Sequence, residues 1–169
     1  MTTPPLALVS AFTVIFAITG VRSLVRLLVP VDGGDRTAEL SHLLMSIAMA
    51  GMAWGWPAGP DTPGGVAQLV VFGVLAVVFV VRVVDPAEPP SAGNAFHLLA
   101  LGAMVWMVLS MPASHGHDGH AAPAVTQLIT IAFVVVLCAT PFARVLRASG
   151  SAGHVLMSGG MAAMLLAML

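Results

Sequence analysis

Lysine is missing altogether, cysteine occurs once, and charged residues make up only 8% of the 169 residues. An ordinary soluble domain carries about 25% charge. Each shortage excludes something. With so little charge there is no basic tract to neutralise phosphates, so nucleic acid is not an expected partner. A single cysteine, Cys138, rules out an internal disulfide and leaves the redox compartment open. No nucleophile–base pair or carboxylate dyad falls within an apolar run, so the chain is not expected to be an enzyme. The N-terminus has no basic segment ahead of its apolar run, which therefore reads as a spanning helix rather than a cleaved signal.

Apolar residues fill the space that charge leaves, at 59% of the chain. They fall into six runs: Pro5 to Val29, Ala38 to Trp56, Val66 to Val84, Ala95 to Met111, Ala124 to Leu146 and Ala152 to Leu169. Each is near the roughly 20 residues that cross a bilayer as a helix. The expectation is an all-α membrane protein with six transmembrane helices in one domain spanning 1–169.

The six basic residues, all arginine, are unevenly placed. Arg22, Arg26 and Arg36 flank the first connection, Arg82 the third, and Arg144 and Arg147 the fifth. By the positive-inside rule the odd connections are cytoplasmic, and both termini lie outside. This predicts a multi-pass protein of the plasma membrane with the lipid bilayer around it. Thr37 and Asn94 are expected as caps before the even helices.

The even and odd helices differ in kind. The third and fifth are rich in Val, Leu and Phe and suit lipid contact. The even helices carry small residues (Ala48, Gly51; Gly102, Ala103; Gly159, Gly160) that allow close approach. Three helix hairpins around a pseudo-threefold axis, with the even-numbered helices central, account for both. The repeats cover approximately 1–57, 64–112 and 122–169.

A triplicated pattern runs through those even helices. His42 is followed by Met45, Met49 and Met52; His97 by Met104, Met107 and Met111; His154 by Met157, Met161, Met164 and Met168. Each histidine has a methionine seven residues on and another ten on. In a helix, offsets of 0, 3, 7, 10 and 14 share one face within an arc of roughly 80°. Every methionine after Met1 lies in an even helix. A packing seam would explain the spacing, since Met fills irregular gaps. It would not explain why Leu and Val were passed over, or why each stripe starts with histidine.

Ionisable residues in a membrane interior usually line a site or a pathway. Three imidazoles at one depth could form a ring of nitrogen donors near the cytoplasmic end. Thioether sulfur is soft and uncharged, suited to Cu(I) and poor for Mg or Ca. Met49, Met104 and Met161 would form one level, Met52, Met107 and Met164 the next. Ala100 interrupts the third level, which has only Met45 and Met157. Between the fourth and fifth helices His115, His117 and His120 form an extracytoplasmic tract beside Asp118, suited to capturing Cu(II) or Zn(II).

The segments His42-Leu43-Leu44-Met45, Ala48-Met49-Ala50-Gly51-Met52-Ala53-Trp54 and His154-Val155-Leu156-Met157 resemble a family of small actinobacterial integral membrane proteins. That family is classed as a domain of unknown function and covers nearly the whole chain. The resemblance implies membrane location and repeated His/Met helices, and no particular activity. A looser likeness, in chemistry only, is to the eukaryotic copper transporters that place methionine triads across a trimer interface. The expectation is a copper-binding protein that holds Cu(I) along a central axis, either to conduct it or to store and deliver it, with a copper chaperone or copper enzyme as partner. Two alternatives stand beside it: a haem or redox-metal membrane protein, and a structural subunit with a Met-rich core.

Overall fold

The computed structural model describes residues 6–29, 35–85, 92–111, 124–146 and 152–167. They form six α-helices and, among the described residues, no strand: α1 (Leu6–Leu28), α2 (Arg36–Ala53), α3 (Pro63–Val84), α4 (Ala92–Leu109), α5 (Ala124–Leu146) and α6 (Ala152–Ala167). The fifth helix has the expected bounds. Helices α2 and α3, whose ends are both described, shift by up to three residues, because capping groups rather than the ends of apolar runs fix where helices start and stop.

The start of α2 shows this. Thr37 is not its cap; Asp35 is, accepting hydrogen bonds from the backbone N–H of Thr37 and Ala38 at 2.9 and 3.3 Å. A carboxylate there satisfies donors left over at a helix start and favours the positive end of the dipole. Asn94 is likewise no cap, since it lies inside α4 and is buried.

Helix α2 ends in a Schellman turn. Trp56 N–H donates to the Gly51 carbonyl at 2.9 Å and Gly55 N–H to that of Met52 at 2.9 Å. Gly55 takes the required left-handed conformation, φ 76°. The turn folds the Trp56 indole over Gly51 and Gly64, where a Cβ would come within 2.9 and 2.8 Å of the ring. Thr62 then caps α3 through Gly65 N–H at 3.1 Å, with Pro63 pre-set in the first turn.

Neighbours in sequence pair as hairpins, α1 with α2, α3 with α4 and α5 with α6. The hairpins meet through α1 against α6, α4 against α5 and α2 against α4. In two of these three seams an odd helix of one hairpin packs on an even helix of another. At the α1–α6 seam the contact needs glycine: a Cβ on Gly160 would stand 2.7 Å from Cζ of the buried Phe16 ring. Gly159, one residue earlier, has nothing within 4 Å of its Cβ position. Gly160→Ala is therefore expected to destabilise the fold by about 1–3 kcal/mol. Gly159→Ala should gain a few tenths of a kcal/mol from helix propensity. Thermal unfolding of the two variants side by side checks the contrast.

The core draws on both kinds of helix. The odd helices do not simply face outward. Phe16 on α1, Phe72, Leu75 and Phe79 on α3, and Leu137 on α5 pack into one cluster with residues of α2, α4 and α6. The opposite faces of the odd helices are exposed and apolar, as at Val14, Ile18, Val70, Val74, Val77 and Leu128. Two helices, Leu6–Leu28 and Pro63–Val84, are each long and apolar enough to cross a membrane.

Candidate functional site

The methionine stripes turn inward where they are described. Met45 and Met49 of α2, Met104 and Met107 of α4, and Met161 of α6 are all 0% exposed and share a single cluster. Ala100, at the interrupted rung, is equally buried. Met52 is half-buried and packs against the cluster, and Met111 just beyond α4 is half-buried. The one-face geometry forces this: offsets of 3, 7 and 10 keep each stripe on the side its helix buries. His154, Met157 and Met164 fall within α6, but their side chains lie outside the described residues, as do Met168 and Cys138. His115, His117 and His120 also lie outside the described residues.

One step along each stripe toward the arginine-bearing end stand the histidines. His42 and His97 are buried, with ring centroids 4.6 Å apart and planes tilted by 53°. These two of the expected three imidazoles are brought together; the third is His154. Among the described residues no group of three or more His, Cys, Asp or Glu side chains is placed to hold a metal ion. Among the described residues, the soft or borderline donors are the paired imidazoles of His42 and His97 and the buried thioethers.

Three residues outside the His/Met stripes also lie against His97. Phe79 of α3 stacks on it, centroids 4.8 Å apart and planes within 24°, and Phe96 meets its edge at 6.0 Å. Ser41 Oγ lies 3.3 Å from His97 Nδ1 and donates its proton to the Ala38 carbonyl at 2.8 Å. Phe72, Leu75 and Phe79 do follow a three-four spacing, so a buried stripe on α3 was readable from the sequence. What it faced was not.

An ion-pair cluster closes the same end of the bundle. Arg82 of α3 bonds Asp35 Oδ2 and donates to Thr37 Oγ1 at 3.0 Å, while its guanidinium carbon lies 5.8 Å from the Phe79 ring centre. Arg26 of α1 pairs with Glu39 of α2 at 3.1 Å. The guanidinium of Arg82 thus holds the first turn of α2 against the last turn of α3, with Phe79 lying over His97 between them.

At the other end indole N–H groups tie helices together. Trp54 Nε1 donates to Thr13 Oγ1 of α1 at 2.9 Å, and Trp106 Nε1 to Thr130 Oγ1 of α5 at 3.1 Å. Trp54 is largely exposed and Trp106 half-buried, so the second bond is the one that spares an indole N–H withdrawn from water.

The molecule is thus an all-helical protein whose described even helices share a methionine core with a histidine pair at one end. The chain belongs to the family "Domain of unknown function (DUF5134)", whose profile matches residues 34–168. The matched stretch runs from the cap of α2 to the end of α6 and so contains all three His/Met helices. No curated protein and no solved structure matches the chain.

Proposed function

We propose that this is a multi-pass membrane protein that binds Cu(I) among the methionines of α2, α4 and α6 and can pass it along them. In this reading all six helices span the bilayer, as three hairpins around a pseudo-threefold axis within a single domain. The arginine-bearing end faces the cytoplasm, and both termini and the His115–His120 segment face outward. Burial supports the membrane part. Only 28% and 22% of the apolar windows of α1 and α3 are buried, whereas the core helix of a soluble protein is mostly buried. An exposed valine face of that length needs an apolar solvent.

The observation that carries the copper reading is the convergence of Met45, Met49, Met104, Met107 and Met161 in one fully buried cluster. Burying a charge without a partner is expensive, and a thioether brings no charge of its own. A set of neutral sulfurs suits a soft monocation, and imidazole suits copper at the end of the path. Successive weak sites favour movement. His115, His117 and His120 would gather metal outside, including Cu(II). A copper chaperone or copper enzyme would receive it inside, and no chemical step is assigned to the protein.

The haem alternative has less in its favour. Rings of His42 and His97 with centroids 4.6 Å apart leave no thickness for a porphyrin between them. The structural-subunit alternative is decided by the same experiment as the copper reading. Protein purified from copper-supplemented cells should contain copper by elemental analysis, and the triple variant M49L/M104L/M161L should lose most of it. Leucine conserves volume and costs under about 1.5 kcal/mol per site, so the fold survives the test. Equal metal in the two proteins would leave methionine as core filler.

A further inference from the structure

Resting on the copper reading, we infer that Ser41 is a positioning residue which sets the tautomer of His97, so that His97 offers Nε2 to a monovalent metal ion between α2 and α4. Ser41 has one hydroxyl proton, and the shorter of its two contacts, 2.8 Å to the Ala38 carbonyl against 3.3 Å to His97 Nδ1, is the one that takes it. The 3.3 Å contact to His97 Nδ1 is then one in which the imidazole donates N–H and the hydroxyl oxygen accepts. A neutral imidazole has one protonated nitrogen. With the proton on Nδ1, the lone pair sits on Nε2.

This is the arrangement that metal-binding histidines use. The ring nitrogen that does not bind metal donates to a fixed acceptor, which sets both the tautomer and the ring orientation. Ser41 is itself 0% exposed and lies on the same turn of α2 as His42, so one turn supplies both an imidazole and the group that orients the other. Stacking by Phe79 on the face of His97 limits rotation of the ring.

The same surroundings select for charge. His42 and His97 lie together, with Phe79 and Phe96 against His97, and among the described residues no group of three or more His, Cys, Asp or Glu side chains is placed to hold a metal ion. The cost of desolvating an ion rises steeply with its charge, so a dication here needs anionic ligands, and among the described residues none is grouped with the two imidazoles. Zn(II) also seeks four ligands, typically including thiolate or carboxylate. Cu(I) meets neither obstacle.

The test is nitrogen NMR of the full chain labelled with [15N]histidine in lipid nanodiscs, before and after addition of Cu(I) under reducing conditions, with Zn(II) as a separate arm. The wild type should show His97 protonated at Nδ1, and Cu(I) but not Zn(II) should shift Nε2. Ser41→Ala should move His97 toward the Nε2–H form and weaken Cu(I) binding about tenfold. Ser46→Ala is the control, because Ser46 is buried on the same helix but donates to the His42 carbonyl and touches neither ring through that bond. It should leave the tautomer in place. His97 protonated at Nε2 in the wild type would overturn the inference, as would an unchanged tautomer in Ser41→Ala. An Nδ1–H tautomer with no response to Cu(I) would instead overturn the copper reading and with it the purpose given to Ser41.

Discussion

Gly65→Ala is expected to lower the stability of the folded chain by upward of about 3 kcal/mol, because the new methyl group meets backbone rather than side chain. A Cβ at this position would stand 2.2 Å from the Gly59 carbonyl oxygen and 2.9 Å from Pro60 Cα. No rotamer change relieves such a contact. Either the start of α3 or the loop before it must move. Moving either disturbs the Thr62 cap, whose side chain accepts from Gly65 N–H, and the Trp56 ring packed against Gly64. Gly73 lies further along α3 with nothing within 4 Å of its Cβ position. Gly73→Ala should therefore stabilise by up to about 1 kcal/mol. Chemical unfolding in detergent micelles, following helical ellipticity, separates the two. Similar stability for both variants would mean that the approach of residue 59 to residue 65 is not a constraint.

Met104→Ala should cost about 2–5 kcal/mol, and Met104→Leu less than about 1.5 kcal/mol. Met104 is fully buried within the shared cluster, so truncation leaves a cavity that the rest of the cluster can fill only by moving. Leucine keeps most of the volume and removes only the sulfur. The pair of variants therefore separates the two services that methionine can give. If the thioether is a ligand, Leu retains the fold and reduces bound copper; if it is filler, Leu changes neither appreciably. Unfolding midpoints and metal content measured on the same preparations distinguish the cases. A Leu variant as unstable as the Ala variant would show that something other than volume holds the cluster together.

Much of this arrangement was legible in the sequence because it is periodic. The positions of Met45, Met49, Met104, Met107 and Met161 follow from offsets within a single helix, and all five are buried on the faces those offsets mark. The helix count, and the hairpin pairing of neighbouring helices, follow from six apolar runs joined by short connections. Partners across helices were not legible. Nothing in the spacing of α3 says that Phe79 lies over His97, or in that of α2 that Ser41 reaches the same ring. These contacts depend on the depth and rotation at which helices distant in sequence meet. The start of α2 was misplaced for a local reason: Thr37 and Asp35 are both good capping residues, and Asp35 also bonds Arg82.

That second bond has a consequence for how this interior can change over time. One oxygen of Asp35 fixes where α2 begins, and the other ties that point to α3. The longitudinal alignment of the first two hairpins is thus clasped at a polar rim, remote from the sulfur-bearing centre. Substitutions among the central side chains can then be accommodated while the rods keep their mutual offset. Loss of the clasp would leave that offset to the packing of the helices alone.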